Sequence, residues 1–408
     1  MVVSEVKQSR PRLGRDFGAL WGATAAANLG DAMYLIALPL LALHLHASPG
    51  QVAAVTVLYT LAWPVFGLPA GVLADRVDRR RLVVIVNGCR VAALGALTML
   101  VASGTIGLGW VYAAALLLGV AETIVDSSFA ALIPATVHDP ALLGRANARL
   151  EFAISANNQF IGPPLAGLLA AAGLAWVTGA SSLLYLTTLP LLALMAGSYR
   201  ATVPAGRERG ALTAGLRFVW RHRLLRSLTL ITAAMNIFWS AWLAVLVVYV
   251  VSPGPVGLSP AGYGLLLTVM AAGSIAGSAL VEPMRRRLGD HRVLALDVVG
   301  TILLIGIPAV TANPFAIGAA MLVGGAGSTV WRVISAVVRQ RLTPPDLLGR
   351  VYSASRVISW GVLPVGAGLG ALLAEAYGVR SVFVVGGLAS LALLVAYGLT
   401  VRPADLVP

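Results

Sequence analysis

Twelve times between residues 18 and 400 the chain runs apolar for about twenty residues before polar or turn-forming residues interrupt it. A hydrocarbon layer about 30 Å thick asks for about 20 such residues per helix, since each backbone N–H and C=O must be satisfied inside the segment. The runs lie near 18–43, 52–74, 82–103, 109–133, 147–172, 175–197, 227–251, 261–282, 292–311, 315–338, 351–374 and 379–400. Only 11% of residues are charged against 58% apolar, and the mean hydropathy is +0.87. A soluble domain carries roughly a quarter charged residues, so this chain cannot coat itself for water. An all-α membrane protein of twelve transmembrane helices is expected, with the lipid bilayer as its solvent. The first run reaches about Leu43, too long for a signal-peptide core, and is read as a retained span.

The net charge of +13 would suggest nucleic acid as a partner of a soluble protein. Here it reads as basic loops on one side of a membrane. Connections from odd to even runs hold almost no Lys or Arg, Arg380 excepted. Connections from even to odd runs hold Arg76, Arg79, Arg80 and Arg81, then Arg145 and Arg149, then Arg285, Arg286 and Arg287. Arg339, Arg341 and Arg350 follow, and seven arginines lie between Arg200 and Arg226. The positive-inside rule then places both termini in the cytoplasm of a multi-pass protein of the bacterial plasma membrane.

The sequence repeats over half its length. "PALLGRANARL" at 140–150 matches "PDLLGRVYSAS" at 345–355, a shift of 205, which also aligns Gly119 with Gly324. "TAAAN" at 24–28 matches "TAAMN" at 232–236. The division expected is a six-helix bundle over 1–197, a cytoplasmic linker over 198–226 and a second six-helix bundle over 227–408. In the linker, Leu212, Leu216, Val219 and Trp220 share one side of a helix suited to the membrane surface. Two related halves around a central site are a common build of secondary transporters.

Other chemistries lack residues. The single cysteine, Cys89, excludes an internal disulfide and a thiol metal site. The five histidines are scattered, and His44 and His46 fall on different helix faces, so no metal or other cofactor is expected. No phosphate-binding Gly-Lys-Ser/Thr loop supports an ATP-driven pump. A channel would repeat one filter across identical subunits, whereas this chain joins two unlike halves and is expected to act as a monomer. Neither an enzyme nor a nucleic-acid binder fits.

Polar residues inside spans should face a cavity or a partner. Span 1 carries Thr24, Asn28 and Asp31 on one face; span 4 carries Glu122 and Asp126 one turn apart. Span 7 carries Asn236, span 10 carries Ser328, Arg332, Ser335 and Arg339, and span 5 carries Asn157 and Asn158. Arg90 sits about 12 Å below the cytoplasmic end of span 3 at 1.5 Å per residue, a depth that suits a buried pair with Asp126 or Glu122. Such a pair has either a structural or a functional role. Arg332, the repeat counterpart of Ser127, would make a charge contact between halves. Asp31 shows no basic neighbour at its depth. It is the leading candidate for a coupling-ion carboxyl, with Glu122 and Asp126 behind it; the plainer reading has it capped by Asn28 or a backbone group. Asn28, Asn236, Trp239, Arg332, Asn157 and Asn158 are the candidates for lining a substrate cavity. Trp63, Trp242, Trp331 and Trp360 suit either an apolar pocket or the membrane interface.

"GVLADRVDRRRLV" at 71–83 spends six charges in thirteen residues. Topology explains its arginines but not Asp75 and Asp78. The stretch resembles the signature between spans 2 and 3 of the major facilitator superfamily, through Gly71, Leu73, Asp75, Arg76, Arg79 and Arg80. Asp78 stands where that family usually has glycine. The resemblance implies the major facilitator fold, two pseudo-symmetric six-helix bundles, and a gating role for the loop. In the family, the aspartate docks at the start of span 11 and the basic residues meet span 4 while the cavity faces outward. "IGPPLAG" at 161–167 partly resembles the Gly-Pro signature of drug–proton antiporters; Asn158 and Leu168 replace two of its glycines, and Ala115 stands where many drug exporters carry arginine. "NLGDAMYLIALPLLAL" and "GLRFVWRHRLLRSL" resemble the branch of enterobactin exporters and macrolide efflux proteins. That branch implies a proton-coupled antiporter exporting a partly apolar small molecule by alternating access, with sodium as the other coupling ion to consider. A proton-coupled importer of a small nutrient is the alternative on the same fold.

Overall fold

The computed structural model describes residues 13–137, 139, 142–197, 199, 211–344 and 347–403. The helices are α1 Arg15–His44, α2 Pro49–Arg76, α3 Arg79–Ala102, α4 Leu108–Thr136, α5 Leu143–Ser155, α6 Gly162–Ala172, α7 Leu174–Ala193, α8 Ala211–Arg221, α9 Arg223–Val250, α10 Pro260–Val310, α11 Pro314–Leu342, α12 Leu348–Trp360, α13 Leu363–Tyr377 and α14 Val379–Thr400. Ten described helical runs are long and apolar enough to cross a membrane, α12 and α13 counting as one. The longest, α10, contains two crossings, because Gly289 leaves helical geometry at φ 76 and ψ 156. Only glycine takes that left-handed conformation without penalty. The turn is clamped beside it, where Arg285 donates from Nε to Asp290 Oδ1 at 2.7 Å and from Nη2 to Oδ2 at 3.1 Å. Residues 143–172 supply the remaining crossing in two pieces, α5 and α6, joined by a π-helical turn at Ala156–Ile161. Twelve crossings result, as the apolar runs require.

Local chemistry starts several helices. Ser48 caps α2 in a reciprocal box with Gln51, and Pro49 takes the first helical position. Ser259 before Pro260 and Asn313 before Pro314 cap α10 and α11 with a side-chain acceptor alone. The outward faces of the bundle carry exposed Ile85, Met99, Leu168, Leu303, Leu372 and Leu399, which suits lipid as the surrounding solvent.

The two ends of the bundle differ. At the end poor in arginine, one buried apolar cluster draws on both halves of the chain, from Leu41, Val55 and Leu118 to Trp242, Val250 and Phe383. At the arginine-rich end the buried clusters separate: Leu20, Val83, Val125 and Leu192 form one, and Leu224, Val281, Ile334 and Tyr397 form another. The halves therefore seal at the arginine-poor end, and a crevice separates them toward the other. The seal is built where α2 meets α13 and α6 meets α10. Gly167 has room for no side chain there, since a Cβ would stand 2.6 Å from the Pro260 carbonyl oxygen. The Gly-Pro stretch "IGPPLAG" is thus part of the closed face.

Of the linker, the described helix α8 buries Val219 against Leu225, Val351 and Ala354, with Leu216 alongside. Trp220 does not share that face and stays exposed. Residues 200–210 lie outside the described residues.

Candidate functional site

Four helices of the first half bring a polar network into the membrane interior. Arg90 of α3 is fully buried. It donates from Nη2 to Glu122 Oε2 of α4 at 2.6 Å and from Nη1 to the Tyr185 hydroxyl of α7 at 3.1 Å. Tyr185 in turn donates to Asp31 Oδ1 of α1, and Arg90 Nη1 lies 3.6 Å from that oxygen. The ring of Tyr185 also lies under the guanidinium, 5.0 Å from centroid to Cζ, with Tyr34 and Tyr59 beyond it. Two carboxyl groups share one guanidinium in low dielectric, so ionisation of both would leave one negative charge uncompensated. The Asp31 side chain is 7% exposed, whereas the Glu122 side chain is 27% exposed, on the crevice side.

This arrangement selects Glu122 over Asp126 as the direct partner of Arg90. It also corrects the sequence reading that Asp31 has no basic neighbour. Depth along separate helices carries no information on rotation about their axes, and Tyr185 on α7 brings the Asp31 and Arg90 faces together. Asn28 does not cap Asp31: it donates to the Thr24 carbonyl at 2.9 Å and accepts from Asn158 Nδ2 at 2.8 Å. Asp126 stands apart from the network. It is solvent-accessible although protein surrounds most of it, and the charges of Glu122, Arg356 and Arg90 act on it.

The remaining asparagines bind the broken spans to their neighbours. Pro163 and Pro164 cannot donate backbone hydrogen bonds, so the helical ladder of α5 and α6 is interrupted just before them. There Asn157 Nδ2 donates to the Ala25 carbonyl at 2.8 Å while Asn158 meets Asn28. Shifting 156–161 by the repeat distance gives 361–366, and the run α12–α13 breaks at Gly361 and Val362, before Pro364. There Asn236 donates to the Ser359 carbonyl at 2.6 Å and Ser240 to the Leu363 carbonyl at 2.7 Å. Asn28 and Asn236, paired by the sequence repeat, thus serve matching breaks. Trp239 stacks on Trp242 at 5.4 Å, and Arg332 is exposed on α11.

Sequence reasoning passed over Arg356 of α12. It is exposed, and its guanidinium lies 5.6 Å from the Trp63 ring of α2 and 5.9 Å from that of Trp360. The signal available was an arginine inside the apolar run 351–374, beyond the basic connection that ends at Arg350.

In the loop, Gly71 and Arg76 belong to α2, Arg76 exposed in its last turn, and Arg79 begins α3. Asp75 lies in the helical backbone of α2, and its side chain is outside the described residues. Asp78, the departure from the family pattern, caps α3 by accepting from Arg81 N at 3.0 Å and also accepts from Tyr199 N at 2.9 Å. Partial burial pushes the Asp78 carboxyl up, but the backbone donors of Arg81 and Tyr199 outweigh it and hold the carboxyl below the usual aspartate value. Arg80 donates from Nη2 to the Ala193 carbonyl at the end of α7 at 2.9 Å. Tyr199 donates to Asp16 Oδ2 at 2.6 Å. With the crevice open at this end, loop residues Asp78 and Arg80 are engaged within their own half.

Solved structures share the fold. The nucleoside transporter NupG superposes with a TM-score of 0.74 at 12% identity, covering 95% of this chain and 99% of its own. A bacterial homologue of the iron transporter ferroportin, solved in an inward-facing state, gives 0.73 at 19% identity, covering 96% and 100%. Twelve crossings, a crevice between the two halves and these likenesses give the major facilitator fold, and the family match over residues 11–406 makes the chain a transporter of that superfamily and not an enzyme. Within it, residues 11–406 match the transmembrane secretion effector family, and the chain belongs to that family. The enterobactin exporter EntS of Salmonella typhi is 28% identical over 293 residues, 69% of this chain and 67% of the exporter. The multidrug efflux pump Tap of Mycobacterium tuberculosis is 24% identical over 384 residues, 88% of this chain and 87% of the pump. These relatives place the chain in the efflux branch of the superfamily.

Proposed function

We propose that the protein is a proton-coupled antiporter that exports a partly apolar small molecule by alternating access, working as a monomer with both termini in the cytoplasm. The crevice then faces inward, and residues 1–197 and 227–408 are the two moving bundles. The observation that carries the reading is the sharing of Arg90 by Asp31 and Glu122. Two carboxylates and one guanidinium deep in the membrane are one charge out of balance, and a proton restores balance. Glu122 is the member open to the crevice and serves as the entry point; Asp31 is its buried partner. Asp126, also accessible, extends the path toward the arginine-rich mouth. In this reading Asn28, Asn157, Asn158 and Asn236 hold the cavity helices in register more than they contact cargo. Gly71, Asp75, Arg76, Arg79 and Arg80 form the inner gate when the crevice faces outward. The names of the relatives, an enterobactin exporter and a multidrug pump, support export of a sizeable molecule.

The test begins with drug and siderophore susceptibility of a host with and without the gene. The compound showing the largest protection is then added to inverted vesicles holding a proton gradient. An exporter dissipates the gradient and accumulates the compound in the lumen. Glu122→Gln abolishes the dissipation while leaving protein yield intact. A gradient untouched by every protective compound refutes proton antiport, and uptake in the opposite sense supports the importer.

A further inference from the structure

Arg356 stands eight residues into α12, about 12 Å from its start, and the carboxylate network does not use it. Its surroundings place it in the crevice and not against lipid. Trp63 reaches it from α2, and the charge of Asp126 acts on it from α4. One turn before it, Tyr352 meets Arg339 of α11, 5.7 Å from ring centroid to Cζ. Elements of both halves of the chain therefore converge on one guanidinium.

A guanidinium has five N–H donors in a planar fork. Those of Arg356 form no hydrogen bond with any described residue. The two indoles engage the cation over their faces and leave the donor edge free. An intramembrane arginine with its fork unspent is costly unless something in the cavity supplies acceptors. A carboxylate matches the fork by two parallel hydrogen bonds, and a flat ring attached to it would lie against the half-exposed face of Trp360. Asp126 lies beyond ion-pair reach among the described residues, so it opposes a bound anion at longer range without occupying the fork.

We propose that Arg356, Trp63 and Trp360 form a substrate-recognition subsite for a planar aromatic group bearing a carboxylate-like anion. The subsite rests on the carrier reading and names the chemical class that such a carrier accepts. It draws on α2 and α12 together, so a ligand seated there touches both bundles and senses their relative position. Trp63 stacks on the guanidinium only while α2 and α12 are close, which ties the shape of the subsite to the width of the crevice.

The test uses full-length protein in detergent and isothermal titration with 2-naphthoate and its neutral isostere 2-naphthamide. The parent is expected to bind naphthoate at least tenfold more tightly than naphthamide. Arg356→Gln removes that preference and leaves naphthamide binding unchanged, Arg356→Lys keeps part of it, and Trp360→Ala weakens both probes. Asp126→Asn tightens naphthoate severalfold and leaves naphthamide alone, which keeps the proposal open to refutation if Arg356→Gln fails to fold. Equal affinities in the parent, no binding of either probe, or a preference unchanged in Arg356→Gln overturns the subsite. Antiport in inverted vesicles is read separately, so a protein that fails here and still dissipates the gradient keeps its carrier function and loses only this subsite.

Discussion

Ser48 donates its hydroxyl hydrogen to Glu375 Oε2 at 2.6 Å, and the two residues come from opposite halves of the chain. The Gly50 N–H donates to the same oxygen at 3.0 Å. A carboxylate of α13 thus sits on the N-terminus of α2, where the helix dipole favours negative charge. This contact belongs to the sealed end and must break when that end opens. Glu375→Gln is expected to weaken the seal by about 1 kcal/mol, roughly a fivefold change in population. Spin labels at positions 106 and 312, in a Cys89→Ser background, read it as a larger fraction of long distances. An unchanged distribution in Glu375→Ala would show that the contact has no conformational weight.

Arg90 compensates two carboxylates in a fully buried position. Breaking such a set from one side costs about 3–5 kcal/mol, because the remaining charges lose their counterion. Arg90→Gln should therefore lower the yield and thermal stability of detergent-solubilised protein sharply. The triple variant Asp31→Asn, Arg90→Gln, Glu122→Gln should recover most of the loss. A triple variant as unstable as the single one would assign Arg90 a packing role.

Asn28 and Asn158 join α1 to the π-helical turn by a single amide pair. Hydrogen bonds between membrane helices are worth about 1 kcal/mol. Asn28→Leu is expected to lower thermal stability by that amount and leave Asn158 without its partner. Asn236→Leu should have a similar effect at the matching break, and the two losses should add, since the two sites share no hydrogen-bond partner.

Asp78 offers a pH test outside the membrane. Its folded-state value lies below the usual aspartate value of 3.8. Its contribution is therefore fully present above that value and is lost as pH falls through the depressed folded value. Asp78→Ala should cost about 1 kcal/mol as a lost helix cap, and Asp78→Asn much less. Thermal unfolding at pH 7 ranks the three proteins, and the gap between parent and Asp78→Ala should narrow as pH falls below 3.8 through the depressed folded value.

Much of the architecture is legible because lipid is a demanding solvent. Apolar runs of one helix length announce the crossings, and arginines confined to alternate connections announce the two ends. Arg285, Gly289 and Asp290 are readable as a turn, although helical geometry on both sides makes α10 continuous around it. The partnership of Arg90 and Glu122 was within reach of depth counting. That of Arg90 and Asp31 was not, since it depends on how α1 and α3 are rotated and on a tyrosine from α7. Asp78 looked like an anomaly in a family pattern, but its capping role is local and readable from Arg81 three residues on. Arg356 is not legible as a cavity residue in the sequence, because six residues after Arg350 it reads as one more arginine at the basic end.

The paired interruptions at Ala156–Ile161 and at Gly361–Val362 have a mechanical consequence. An unbroken helix leans as one rod, so whatever it does at one face of the membrane it must undo at the other. A helix jointed at mid-depth lets its two segments tilt by different amounts. The pieces that hold the sealed end, α6 and α13, can stay in place while α5 and α12 swing inward below them. A carrier jointed in this way can pass through an occluded stage, with cargo enclosed and neither compartment in contact with it, before the rigid seal is asked to yield.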